Sequence, residues 1–378
     1  MADALTNARV MLPSGLRDDV CVVIEGTRIR AVSSSPPADA RIVDCGGRLL
    51  LPGLIDVQVN GGGGRLFNDD PSIETIAAIA AAHRRFGTTG LLPTLISDDL
   101  SVVEAGIAAV DTAIEAGVPG VLGIHIEGPF LSPARHGIHL ESKLRVLTDD
   151  VIDLLASAKR GRTLVTLAPE RAAPAQIARL VQAGVIVSAG HSDADYETVR
   201  GAIDAGLTGF THLFNAMSQL ANRAPGMVGA ALEDDSTYAG LIVDGLHVHP
   251  ATLRVAVRAK GTEHLMLVTD AMPSVGADRD DFMLQGRPIR REGDMLKSAD
   301  GVLAGSTLTM AGAVANMIAQ GRVTLRQAVA MASATPAAFL GLGGSTGAIA
   351  AGLAADLVLA DDDLTVRETW ISGQSSRR

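Results

Sequence analysis

Apolar and polar positions alternate along this chain in two rhythms. The first fifty residues carry short strand-like runs (RVMLP, VCVVIEG, IRAVS, ARIVDC) separated by turn residues, and predict a small β unit without a helix. The closing stretch GLAADLVLADDDLTVRETWISG returns to that style, so both chain ends are expected to meet in one β-sandwich domain over 1–52 and 346–378. Between them, apolar runs of strand length alternate with helical patterns such as SIETIAAIAAAHRRFG and DVIDLLASAKRG, the rhythm of repeated βα units. Eight such runs occur: LIDVQVN (54–60), TGLLPTL (89–95), VLGIHIE (121–127), TLVTLAPE (163–170), VIVSAGH (185–191), GFTHLFN (209–215), AGLIVDG (239–245) and LMLVTDA (265–271). Eight parallel strands, each followed by a helix, close a (β/α)8 TIM barrel, expected here over 53–345.

The carboxyl ends of these runs are unusually polar. They offer Gln58, Asn60, Thr94, Glu127, Glu170, His191, His212, Asp244 with His247, and Asp270. In a closed barrel these positions share one mouth, where active sites of this architecture gather. A single histidine at a strand end is commonly a hydrogen-bonded structural residue. His191 and His212 in successive units, with Glu127 two units earlier, instead form a His2Glu set, which leaves an open coordination position as catalytic metal sites do. Asp270, in LVTDAMPS, adds a carboxylate that reads either as a helix N-cap or as a general base beside that metal.

Composition narrows the partners. The formal net charge is −10 over 378 residues, with no block of Lys or Arg, so a nucleic-acid footprint is not expected. No run of about 18 uninterrupted apolar residues occurs, so neither is a membrane span. Cys21 and Cys45 are the only cysteines and lack metal-type spacing, and MADALTNARVMLPSG has no signal-peptide blocks. These features predict a reduced, cytoplasmic chain. The GGGG run at 61–64 lacks a following Lys-Ser/Thr and is read as a flexible strand-to-helix turn.

GLIDVQVNG after a β segment, the β domain built from both termini and the strand-end His, His and Asp resemble the amidohydrolase superfamily. HIEGPFLSPARHGIH, AGHSDADYE, THLFNAMSQLANRAPGMVGAAL, DGLHVHP, LVTDAMPSVG and LAGSTLTMAGAV narrow the match to its N-acetylglucosamine-6-phosphate deacetylases, over essentially the whole chain. The chain departs from many superfamily members in having Gln58-Val59-Asn60 in place of His-x-His, and none of its four lysines falls at a strand end. Side-chain amides are poor ligands for a zinc-like ion, so one metal is expected rather than a carbamate-bridged pair.

The resemblance implies that Glu127, His191 and His212 hold one divalent metal ion, zinc foremost, with iron, manganese or cobalt open. It implies Asp270 as the proton carrier and His139 as a donor to the acetamide carbonyl. Substrate contacts fall on Ile138, His139, the backbone of Asn215 and Ala216, Arg223, His247, and the loop residues Leu303, Ala304 and Gly305, with Arg223 and His247 as phosphate donors. A substrate arginine can come from the neighbouring subunit in this family, which implies a homodimer acting on a small sugar phosphate. Two alternatives stay open at this stage. One is another metal-dependent amidohydrolase such as a cyclic-amide hydrolase or a deaminase; the other is a non-catalytic barrel that senses an aminosugar phosphate.

Overall fold

The computed structural model describes residues 2–278 and 281–377. Its centre is an eight-stranded parallel sheet, β1 (Leu54–Val59), β2 (Thr88–Ile96), β3 (Gly123–Glu127), β4 (Arg162–Leu167), β5 (Ile186–Ala189), β6 (Gly209–Phe210), β7 (Tyr238–Ile242) and β8 (Leu265–Val268), paired in chain order. A parallel bridge between Val59 and Ala271 and the bond from the Asp270 amide to the Gln58 carbonyl (3.0 Å) join the last strand to the first. All eight apolar runs therefore became strands of one TIM barrel. Each is followed by a helix, from Ile73–Arg84 after β1 to Met310–Asn316 after β8.

The terminal strands form two further sheets. Leu49–Pro52 pairs antiparallel with Leu357–Ala360, which stitches the N-terminal strands to the C-terminal ones in a six-stranded sheet. A four-stranded sheet built from Asp3–Thr6, Cys21–Glu25, Arg28–Ser33 and Arg41–Asp44 faces it across Leu5, Val22, Ile29, Leu50, Leu357 and Trp370. Arg84, on the first barrel helix, donates to the Thr369 hydroxyl (3.0 Å), seating the barrel on this support.

Three local expectations are revised. The helical pattern at 150–161 forms a helix only over Asp149–Leu155. The Asp111 carboxylate takes the backbone N–H groups of Lys159 and Arg160 at 2.8–3.0 Å, so the chain leaves the helix to reach them. LAGST is not a loop, because Leu303–Ser306 is the last strand of an antiparallel sheet with Phe282–Leu284, Arg287–Glu292 and Met295–Ser298. The pairing is seeded by Gln285-Gly286, a two-residue turn with positive φ at both positions. This sheet is inserted between β8 and its helix.

Nor does the GGGG run lead straight into a helix. Gly61–Gly62 pairs with Arg65–Leu66 and exposed Gly63-Gly64 turns between them; Gly61 and Gly62 are buried, and a Cβ on Gly61 would meet the Arg65 carbonyl oxygen at 2.5 Å and one on Gly62 the His83 ring at 2.9 Å. His83 is fully buried and bonds the Gly61 carbonyl through Nε2 (2.9 Å), and burial pushes its pKa down from 6.5 to about 4. The unfolded chain then takes the proton first as pH falls. This residue should cost about 3 kcal/mol of stability between pH 6.5 and 4. Denaturant unfolding at neutral and acid pH should show that loss in the wild type and a smaller one in His83→Gln; equal losses would remove His83 as the cause.

Candidate active site

At the barrel mouth a cavity of about 260 Å3 is lined by Glu127, Ile138, His139, His191, His212, Asn215, Ala216, His247, Asp270, Leu303 and Gly305. Ile96, Ile242, Met272 and Val302 supply apolar wall. His191, His212 and Asp270 each follow a barrel strand and have φ of 48°, 36° and 52°, a left-handed conformation that L-residues with large side chains avoid. Such strain persists where the surrounding fold imposes it, and it concentrates at functional sites. Here it occurs at three residues whose side chains meet in one cavity.

The three polar atoms at the base are close. Glu127 Oε1 lies 2.9 Å from His212 Nε2 and 3.3 Å from His191 Nε2, and the two Nε2 atoms are 3.0 Å apart. Ligands on adjacent corners of a tetrahedron with ~2.0–2.1 Å bonds lie about 3.3 Å apart, so this triangle has the size of one face of a metal site. His191 Nδ1 donates to the Arg135 carbonyl (2.9 Å), which keeps its proton away from Nε2 in the manner of metal-ligating histidines. With its proton on Nδ1, His191 turns a lone pair on Nε2 toward Glu127 Oε1 and His212 Nε2, where a cation would be shared by all three. The donors fit a divalent ion.

His139 belongs to the same cluster, since Glu127, His139 and His191 offer ligand atoms all within 4.8 Å of one another. Its protonation separates it from the other histidines. The backbone N–H of Ser97 donates to His139 Nδ1 (3.1 Å), and the Ser97 hydroxyl stands 2.8 Å from the same nitrogen. An N–H can only donate, so Nδ1 is an acceptor and neutral His139 carries its proton on Nε2. Burial, reinforced by His191, holds its pKa well below the ordinary range, so it stays neutral. A neutral imidazole with Nε2–H is a hydrogen-bond donor and has no lone pair there for a metal.

Asp270 is half-buried beside Glu127. Burial first, and the Glu127 charge second, push its pKa up to about 7, near the point where a carboxyl can both take and give a proton. Its Oδ1 accepts from Asn60 Nδ2 (2.6 Å) and Gln58 Nε2 (3.3 Å), and Gln58 Nε2 also reaches both Glu127 oxygens at 3.1–3.2 Å. The Gln-x-Asn pair thus presents N–H groups to the two carboxylates.

Other expected positions divide. His247 lines the cavity and gives its Nδ1 proton to Asp244 (2.6 Å). Ala304 is buried in the apolar cluster beneath Leu303 and Gly305 and does not line the cavity. Glu170 accepts from Ser192 and Asp193 and shapes the loop after β5. Arg223 is exposed on the loop after His212 and is not among the residues lining its own chain's cavity. Ser97 went unnoticed in the sequence, where a serine after an apolar run carries no signal of its own.

The amidohydrolase family pattern matches residues 49–375. The N-acetylgalactosamine-6-phosphate deacetylase of Shewanella sp. (strain ANA-3) is 50% identical over 325 residues, covering 86% of this chain and 82% of the relative. The N-acetylglucosamine-6-phosphate deacetylase of Bos taurus is 36% identical over 390 residues, covering 98% and 94%. Among solved structures, the N-acetylglucosamine-6-phosphate deacetylase of Pasteurella multocida superposes with a TM-score of 0.96 at 32% identity over the full length of both chains. With the family pattern spanning most of its length and deacetylases as relatives along essentially all of it, this chain belongs to the amidohydrolase family and is a hydrolase.

Proposed function

We propose that this chain hydrolyses the acetamide of N-acetyl-D-glucosamine 6-phosphate, releasing acetate and D-glucosamine 6-phosphate, in the cytoplasmic breakdown of amino sugars or recycling of cell wall. The observation that carries the reading is the triangle of Glu127, His191 and His212 beside Asp270 in one cavity. Those three side chains would hold one divalent metal ion, zinc foremost, with iron, manganese or cobalt suited to the same donors. When bound, such an ion supplies Lewis acidity and a water that is nucleophilic at neutral pH.

The chain's own residues do the rest. Asp270, with Oδ1 held by Asn60 and Gln58, takes the proton of the attacking water and returns it to the sugar nitrogen, which leaves far more readily as an amine. His139 donates Nε2–H to the carbonyl oxygen as negative charge grows there, an effect of a few kcal/mol. Ile138, Leu303 and Gly305 face the sugar from the cavity wall, with Ala304 supporting them. The backbone of Asn215 and Ala216, with His247, receives the phosphate.

Arg223 completes the phosphate site from the other subunit of a homodimer. Its exposure, away from its own cavity, supports that reading. The catalytic barrel is taken as 53–345, carried on the sandwich of 1–52 and 346–378.

A second reading concerns the epimer. The relative at 50% identity is named for N-acetylgalactosamine 6-phosphate, which favours that sugar as an alternative or additional substrate. Acetate release should therefore be measured from both phosphorylated sugars and from unphosphorylated N-acetylglucosamine, with chelated protein resupplied with zinc. Metal-dependent release from a phosphorylated sugar alone is expected, and the ratio of the two kcat/KM values decides the epimer. Arg223→Ala should raise KM for the phosphorylated substrate by about 10-fold or more, as the loss of a charge-assisted pair does. Equal activity on the unphosphorylated sugar, or an unchanged KM in Arg223→Ala, would point instead to a cyclic-amide hydrolase or another amidohydrolase without a phosphate site.

A further inference from the structure

The inserted antiparallel sheet does more than wall the cavity. Its first hairpin reaches both chain segments that hold His139. Gln285, at φ 48° in the turn, donates through Nε2 to the Ser97 carbonyl (2.8 Å) and to the Asp98 carboxylate (3.0 Å). Two residues on, the Arg287 guanidinium donates to the carbonyl of Ile138, the residue next to His139. Ser97 is fully buried, and its own N–H and hydroxyl both meet His139 Nδ1. It lies against Gly128, where a Cβ would come within 2.2 Å of the Ser97 hydroxyl, so the glycine of HIEGPF leaves the space that the serine occupies.

Neither Gln285 nor Arg287 lines the cavity. Both hold backbone carbonyls whose neighbouring atoms fix the ring position and tautomer of a residue that does. We propose that Gln285 and Arg287 are positioning residues for hydrolysis: the hairpin clamps Ser97 and Ile138 and so aims the Nε2–H of His139 at the substrate carbonyl. A misplacement of such a donor by an ångström costs rate rather than binding, since the bond matters most when charge develops on the oxygen. The proposal rests on the donor role of His139 given above.

Asn at position 285 suits the left-handed turn as well as Gln and is one methylene shorter, so Gln285→Asn keeps the hairpin and withdraws the amide from Ser97. Expected is a fall in kcat of about 10-fold with KM changed by less than about twofold. Metal content should stay at the wild-type level. Arg287→Met should behave alike, and Arg287→Lys, which keeps a donor, should recover part of the rate.

The deciding measurement is the double variant. In a His139→Gln background, Gln285→Asn should cost less than about twofold, because the group it positions is gone. A full 10-fold cost in that background, no cost in the wild-type background, or loss of metal from Gln285→Asn would each overturn the clamp. The wild-type assay separates this from the function itself. No acetate from any of the sugars defeats the proposed reaction, whereas an active wild type with an unaffected Gln285→Asn defeats the clamp alone.

Discussion

Asp270→Asn should lower acetate release by about 10^3- to 10^4-fold while leaving metal content and substrate binding close to wild type. The substitution is nearly isosteric. An amide of the same shape can keep its oxygen toward Asn60 Nδ2, so the left-handed turn at the end of β8 and the bridge that closes the barrel survive. What disappears is the ability to hold a proton. Burial and the nearby Glu127 charge place the Asp270 carboxyl at about pH 7, and only its ionised form accepts a proton from water. In the wild type, kcat should therefore fall as pH drops through an acid limb at or below about 7, a cation held by Glu127, His191 and His212 moving the limb downward. The residual rate of Asp270→Asn should lack that limb. Pre-steady-state substrate binding and a pH series on both proteins check the prediction, and turnover within tenfold of wild type would take Asp270 out of the proton path.

The second large effect concerns the metal. Glu127→Gln should lose bound metal on dialysis, with affinity reduced by more than ~100-fold, since substitutions in the outer shell of a metal site alone cost about 10–100-fold. The carboxylate is the one negative charge in the triangle, and against the desolvation of burial the adjacent imidazoles of His191 and His212 hold its pKa well below the usual range. His212→Ala should behave likewise. Gln58→Ala should lose no more than the ~10–100-fold of an outer-shell change, because Gln58 turns its N–H group to Glu127 and Asp270 and its neutral amide is a poor ligand. Elemental analysis of these variants beside the wild type separates the two groupings of side chains. Metal kept by Glu127→Gln, or lost by Gln58→Ala as completely as by His212→Ala, would defeat the His2Glu site. Loss of metal from His139→Gln would move His139 from donor to ligand.

The barrel was legible because its signal is local and repeated. A parallel strand buried on both faces must be apolar throughout, so each of the eight strands stands out as a run, and the polar residue that ends it marks the mouth. The same logic exposed Glu127, His191, His212 and Asp270. The inserted sheet was less visible. Its first two strands are short and half-exposed, and their turn is Gln285-Gly286 rather than the Asn-Gly or Asp-Gly that marks a hairpin in a sequence. The helix expected at 150–161 stopped early because a carboxylate from a neighbouring helix competed for its backbone, and nothing within that window reports Asp111.

By itself, then, the order of residues determined the eight βα units, the meeting of the two chain ends in β-structure, and the kinds of side chain gathered at the mouth. Periodicity and the termination of apolar runs depend only on neighbours along the chain. Only the tertiary structure decided how those side chains differ from one another. His139 and His191 are both buried histidines of one cavity, yet the first is a donor and the second presents a lone pair. The difference lies in what meets each Nδ1, a backbone N–H from Ser97 in one case and the carbonyl of Arg135 in the other. Those contacts join residues 42 and 56 positions apart, and hydrogen-bond complementarity across such distances exists only once the barrel has closed.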